Sequence, residues 1–305
     1  RDSSLKYKSV TWDSSGIPDG SVNPRASLWS TWPGTRNFKS KPACANLDPV
    51  DVPTQRTYKI VLAGVDTADH IFTSAAQANA VADGSAPDVP SSITPWLKVS
   101  DRTFASGPSI SVGSNLIVVV GRGKVDNRIY AFRRSLPYDT GTWSFSVPAP
   151  PLPSPYTAQG SPAIAFTLGE VNQFTVMVRA QDATFGQRYF RSHFDGFSWT
   201  TWDPILSWGP SGDPALEFST DVNLLTLYSF GSGRAGLFPA QQSGIDLTWF
   251  DWMSIRSSEV PGAFGGPAVH GFWGNAEGEG IHRVVVRRPD RSLRITEAPL
   301  IQLDP

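Results

Sequence analysis

A proline followed by a very small residue opens an apolar run five times along this chain, at Pro42-Ala43, Pro108-Ser109, Pro162-Ala163, Pro214-Ala215 and Pro267-Ala268. Successive prolines stand 66, 54, 52 and 53 residues apart. A period near fifty marks an array of similar units, each too small to bury its apolar face alone. Repeated units also tend to carry repeated binding surfaces rather than one catalytic centre.

Downstream of each proline the same parts follow in the same order. A small-residue run is followed by a β-rich run at Tyr58–Leu62, Leu116–Val120, Phe174–Val178, Leu224–Tyr228 and His282–Val286. After a polar turn comes a third segment: His70–Thr73, Arg128–Phe132, Arg188–Arg191, Ala235–Phe238 and Ser292–Ile295. A fourth is built on tryptophan: Trp96–Val99, Trp143–Val147, Trp199–Trp202 and Trp249–Trp252. Four short β-branched and aromatic strands between Gly, Asp, Asn and Ser turns are the content of one propeller blade. The first strand suits a crowded inner position, where small side chains allow close approach and proline needs no ladder donor. The second, nearly all apolar, suits burial on both faces. No stretch carries a sustained helical period, so little helix is expected.

The expected fold is all-β: a single five-bladed β-propeller domain over residues 1–305, with four antiparallel strands per blade. Blades start near residues 40, 106, 160, 212 and 265. The fifth unit runs out of chain without a tryptophan strand. Leu28–Trp32 is expected to supply it and close the ring, leaving no long exposed edge. Residues 1–27 then form an N-terminal extension packing on the ring. A sixth blade built from them, using Lys6–Trp12 as a strand, is the competing arrangement.

The net charge of −1, with both signs well mixed, argues against nucleic acid or an anionic membrane as partner. No apolar stretch approaches the roughly twenty residues that span a bilayer. The single cysteine, Cys44, reads as a small buried residue of an inner strand. The sequence opens at Arg1 rather than Met, as a processed chain would. Neither a secretory-type apolar segment nor an Asn-x-Ser/Thr sequon is found, so location stays open, with a lean toward secreted or extracellular.

The run from Phe174 through Val178-Arg179-Ala180-Gln181-Asp182 to Asp195-Gly196 and Trp199-Thr200-Thr201-Trp202 resembles one blade of the Photorhabdus-type β-propeller lectins. Their repeat joins a Pro-Ala anchor, a Val-Arg-Gly-x-Asp strand end, an Asp-Gly turn and Trp-x-x-Trp. Gly265–Ala268 with Val286–Asp290 resembles a second copy, and Ser106–Ser109 with Val120–Gly123 a third. In blade count the chain is similar to the five-bladed tachylectin-type ring. The resemblance implies a non-enzymatic lectin with several unequal inter-blade sites for glycans ending in fucose or N-acetylglucosamine.

A sugar offers a C–H face that packs on an aromatic ring and hydroxyls that need planar polar partners. Eleven tryptophans supply the first need. Trp143, Trp199 and Trp249 are expected to fill gaps between blades, their N–H groups taken by backbone carbonyls. Trp32, Trp202 and Trp252, second in their pairs, are equally open to packing or ligand contact. Trp208, in a loop off the repeat, is a ligand candidate. Arg122, Arg179 and Arg287, beside the second strand, are candidates for sugar hydroxyls or for structural pairing with Asp126, Asp182 and Asp290. The units disagree at Val99, Ser146, Gly64 and Phe230, so any sites are few and unequal. Weak single sites would gain from multivalency.

Two alternatives stay open. Five-bladed glycosidases need two carboxylates flanking the scissile bond, for which Asp48, Asp213, Glu217 and Asp221 are the candidates. A structural, storage or protein-interaction ring is the other. No catalytic residue or cofactor is expected, and scattered His70, His193, His270 and His282 give no metal-ligand spacing.

Overall fold

The computed structural model describes residues 6–7, 10–13, 23–26, 30–31, 36–47, 57–79, 92–113, 115–138, 140–145, 147–166, 173–184, 186–205, 212–219, 224–230, 237–243, 268–272, 281–287 and 293–299. Every regular element among them is a strand, and every pairing between them is antiparallel. The N-terminal residues supply β1 (Lys6–Tyr7), β2 (Val10–Asp13), β3 (Asn23–Ala26) and β4 (Ser30–Thr31). The first anchored unit holds β5 (Ala43–Asn46), β6 (Thr57–Val65), β7 (Ile71–Asn79), β8 (Ser92–Ile93) and β9 (Leu97–Lys98). The second holds β10 (Ser109–Val112), β11 (Leu116–Arg122), β12 (Ile129–Ser135) and β13 (Ser144–Phe145). The third holds β14 (Thr157–Phe166), β15 (Phe174–Asp182), β16 (Gly186–Phe194) and β17 (Asp203–Ile205). After these come β18 (Ala215–Ser219), β19 (Leu224–Phe230) and β20 (Leu237–Ser243), then β21 (Ala268–Phe272), β22 (Ile281–Arg287) and β23 (Leu293–Pro299).

Each anchored unit is its own meander, with strands hydrogen-bonded in chain order, as in β10-β11-β12-β13 and β14-β15-β16-β17, except that β9 pairs β7 beside β8. At four of the five anchors the first strand begins on the residue after the proline. The exception is informative. β14 starts at Thr157 and runs through Pro162, with a register shift between Gln159 and Ala163. Gly160 there has φ of +64°, a left-handed conformation suited to glycine. A bulge at this point relieves proline of the donor it lacks.

The second strands are buried as their composition requires: Leu116–Val120 and Phe174–Val178 are buried throughout. A run covered on both faces has no polar face to present, which is why alternation is missing. The turns after β6, β11 and β15 close on an aspartate. Asp66 Oδ1 accepts from the backbone of Ala68 and His70 at 3.0 and 2.9 Å, Asp126 Oδ1 from Arg128 at 3.2 Å, and Asp182 Oδ1 from Thr184 at 2.8 Å. These are Asx turns, in which the side chain imitates a backbone acceptor.

The chain divides into two compact units, residues 1–119 with 132–144, and residues 120–131 with 145–305. Within the first, β10 lies against β5; within the second, β14 lies against β18 and β18 against β21. Within each unit, first strands therefore neighbour first strands. In the second unit a core of Ala163, Ala165, Met177, Tyr189, Ile205, Leu216, Leu225 and Leu227 joins two successive sheets.

Three expectations are corrected. Ser30–Thr31 takes Lys6–Tyr7 as its partner, and Val10–Asp13 pairs Asn23–Ala26. The described strands of this segment thus pair with one another. The fourth strand of the third unit is Asp203–Ile205, not Trp199–Trp202, and Trp199 makes only an isolated bridge to Phe194. Cys44 on β5 keeps an exposed surface rather than a buried one, although the protein around it desolvates the thiol and raises its pKa. Among the described residues no helix is long and apolar enough to cross a membrane.

Candidate functional site

Two of the arginines singled out by sequence converge on one glycine. Arg122, the last residue of β11, donates from Nε to the Gly160 carbonyl at 3.0 Å and from Nη1 to Asn127 Oδ1 at 2.6 Å. Arg179, on β15, donates from Nη1 to Gln187 Oε1 at 3.1 Å, and its Nη2 lies 3.6 Å from Asp213 Oδ1. A Cβ added at Gly160 would overlap the Asp213 carboxylate and come within 3.3 Å of Arg179 Nη2. Glycine at 160 is therefore what lets both guanidiniums and the carboxylate share one space.

Tyr189 forms the floor. It lies opposite Arg179 in the β15–β16 register, and its ring is 1% exposed. Its hydroxyl donates to the Gly212 carbonyl at 2.8 Å and shares a hydrogen bond with Ser229 Oγ. Holding Gly212 also holds Asp213, the next residue, just before β18. Burial raises the Tyr189 pKa well above the ordinary phenol value, with Asp213 adding to the rise. The hydroxyl stays a neutral donor.

The electrostatics are unbalanced. Burial lowers the Arg122 pKa, Arg179 adds to the lowering, and Asp213 opposes it. Two half-buried cations thus share one carboxylate among the described residues. Each guanidinium carries five N–H donors in a fixed fork. The Nε of Arg179 is buried and has no acceptor among those residues.

The expected local pairing with Asp126 and Asp182 is not what forms. Both aspartates turn Oδ1 onto the backbone of their own turns. Each arginine reaches instead to a residue just before the next anchor proline. Gly160 precedes Pro162 by two residues and Asp213 precedes Pro214 by one. Gly160, Asn127 and Gln187 were not anticipated as site residues. The sequence signal for the first is a glycine just before an anchor proline.

The tryptophans divide differently. Trp199 and Trp202 donate from Nε1 to the carbonyls of Val147 and Pro150, both at 2.7 Å and both 52 residues back. Trp202 is 7% exposed, so its ring and its N–H are both engaged in packing. Trp96 packs on Phe38 at 4.7 Å, and the Arg134 guanidinium lies 5.9 Å from the Trp143 ring centre. Trp32, Trp208 and Trp252 lie outside the described residues. Arg287 ends β22 opposite Leu293. Among the proposed acids, Asp213 faces Arg179 and Glu217 pairs with Thr226 across β18–β19, while Asp48 and Asp221 lie outside the described residues. Among the described residues no group of three or more His, Cys, Asp and Glu could hold a metal ion.

No family model and no curated protein matches the sequence. Solved structures do. The SapL1 lectin, in complex with α-methyl fucoside, is 14% identical with a TM-score of 0.52, over 98% of this chain and 94% of its own. The fucose-specific lectin from Aleuria aurantia is 14% identical with a TM-score of 0.42, over 86% of this chain and 93% of its own. The exo-β-1,3-galactanase from Phanerochaete chrysosporium is 11% identical with a TM-score of 0.47; the match covers 96% of this chain and 64% of that enzyme. At such identities the likeness is one of fold. The match to SapL1, nearly full length in both chains, is to an all-β fold.

Proposed function

We propose that this chain is a non-enzymatic carbohydrate-binding protein with a few unequal sites between successive sheets. The observation that carries the reading is the cluster of Arg122, Arg179, Asp213, Asn127 and Gln187, five planar polar groups brought together at the sheet ends. Forked donors beside amide and carboxylate acceptors suit a ligand made of hydroxyls and ring oxygens. The likeness in fold to a lectin solved with a fucoside supports the same class. Asp213, the acid nearest an anchor, faces a guanidinium rather than a second carboxylate across an open gap, which favours binding over hydrolysis.

Sites using Arg287, Trp32, Trp208 or Trp252 would take neutral termini such as fucose or N-acetylglucosamine. The scaffold in this reading is a propeller of five anchored blades, with residues 6–31 contributing a sixth from their own paired strands. A glycan array and a haemagglutination assay test the function. Binding to defined termini is the expected result; silence in both assays at high protein concentration overturns it.

A further inference from the structure

The Arg122–Arg179 cluster has more donors and more positive charge than the protein around it satisfies. Arg122 engages two acceptors, Gly160 O and Asn127 Oδ1. Among the described residues Arg179 has one hydrogen bond, to Gln187, and its approach to Asp213 at 3.6 Å is an ion pair beyond hydrogen-bond reach. Its Nε has no acceptor among the described residues. Two guanidiniums close enough to repel each other therefore face a single carboxylate among the described residues. A clasp between sheets would need only the carbonyl and the amides. A second half-buried cation without a counter-ion raises the desolvation cost and adds nothing to such a clasp. The cluster is also reachable, since the side chains of Arg179 and Asp213 keep 18% and 28% of their exposure.

Resting on the carbohydrate-binding reading, we infer that this site selects an acidic sugar, whose carboxylate enters between Arg122 and Arg179 while its hydroxyls meet Gln187, Asn127 and Asp213. A planar carboxylate matches the guanidinium fork in two parallel hydrogen bonds, which a neutral hydroxymethyl group does not. Bound there, it would supply the missing negative charge and relieve the repulsion between the two cations.

The test uses the full chain on an array that pairs glucuronic, galacturonic and N-acetylneuraminic acid termini with neutral and sulfated counterparts. The expected result is a preference of about tenfold or more for at least one carboxylate-bearing terminus over its neutral partner. Raising the salt concentration should weaken that binding. Arg179→Gln should remove the preference, and Asp213→Asn, which deletes the competing carboxylate, should strengthen it several-fold. The second variant guards against misfolding of the first, since a gain cannot come from a damaged fold. Binding to neutral termini alone, or to sulfated termini in place of carboxylates, overturns the inference and leaves the lectin reading standing. No binding to any glycan overturns both.

Discussion

Arg122 donates from Nε to the carbonyl of Gly160 at 3.0 Å, 38 residues further along the chain. The bond joins the end of a second strand to the bulge that precedes the next anchor proline. Arg179 makes the corresponding reach toward Asp213, beside the following anchor. One device thus recurs at two successive junctions, built from an arginine and a residue just before an anchor proline.

Gly160 should tolerate no side chain. Its φ of +64° is strained for other residues, and a Cβ would collide with Asp213. Gly160→Ala should cost roughly 2–3 kcal/mol of stability, read by urea unfolding under tryptophan fluorescence. An unchanged midpoint would show that the bulge relaxes freely, and that glycine is not required there.

Tyr189→Phe removes one hydroxyl from a dry interior and leaves the Gly212 carbonyl and Ser229 without that partner. The expected loss is about 1–3 kcal/mol. Sugar affinity should fall as well, because Gly212 would no longer fix Asp213. A variant equally stable and equally active would mean that the loop before β18 is held by other contacts.

Trp202 is assigned to packing. Trp202→Phe should cost about 1 kcal/mol or more through the lost bond to Pro150, while leaving binding at the arginine cluster unchanged. A stable variant that no longer bound glycan would return Trp202 to the ligand.

The turn at Asp195 supplies a pH dependence. Its carboxylate accepts from the backbone of Ser198 and Phe197 at 2.7 and 2.8 Å and from the Ser198 hydroxyl at 3.1 Å. The backbone bonds, that to Ser198 first, hold the carboxyl below its ordinary range. A depressed folded-state pKa favours the native turn above the unfolded value of about 3.9, and the benefit is lost as pH falls through the folded value. Amide shifts of Phe197 and Ser198 should move together below about pH 4. Asp195→Asn should abolish that movement, since its amide keeps an acceptor but does not titrate. Shifts that persist in the variant would assign the transition to another group.

What the sequence made legible, and what it hid, follows from which interactions are local. Strand starts were readable because proline and small residues at 42–43, 108–109, 214–215 and 267–268 act through backbone sterics alone. The buried second strands were readable because continuous apolar runs such as Leu116–Val120 leave one placement. The arginine partners were not. Asp126 and Asp182 stand closest in sequence, yet the Asx turns claim them, and the guanidiniums look across to residues 38 and 34 positions away. The fourth strand was displaced for a similar reason. The indoles of Trp199 and Trp202 bind carbonyls of the segment before the sheet, so the ladder resumes at Asp203. Ser30–Thr31 found its partner in Lys6–Tyr7, a pairing of two-residue strands too short to leave a pattern.

The most direct test of the central claim is a crystal of the full chain soaked in mixed neutral and acidic monosaccharides. The account predicts a sugar bound against Arg122 and Arg179, with Gln187 and Asp213 among its hydrogen-bond partners. A sugar held instead between two carboxylates roughly 5–10 Å apart would contradict it and identify a glycosidase.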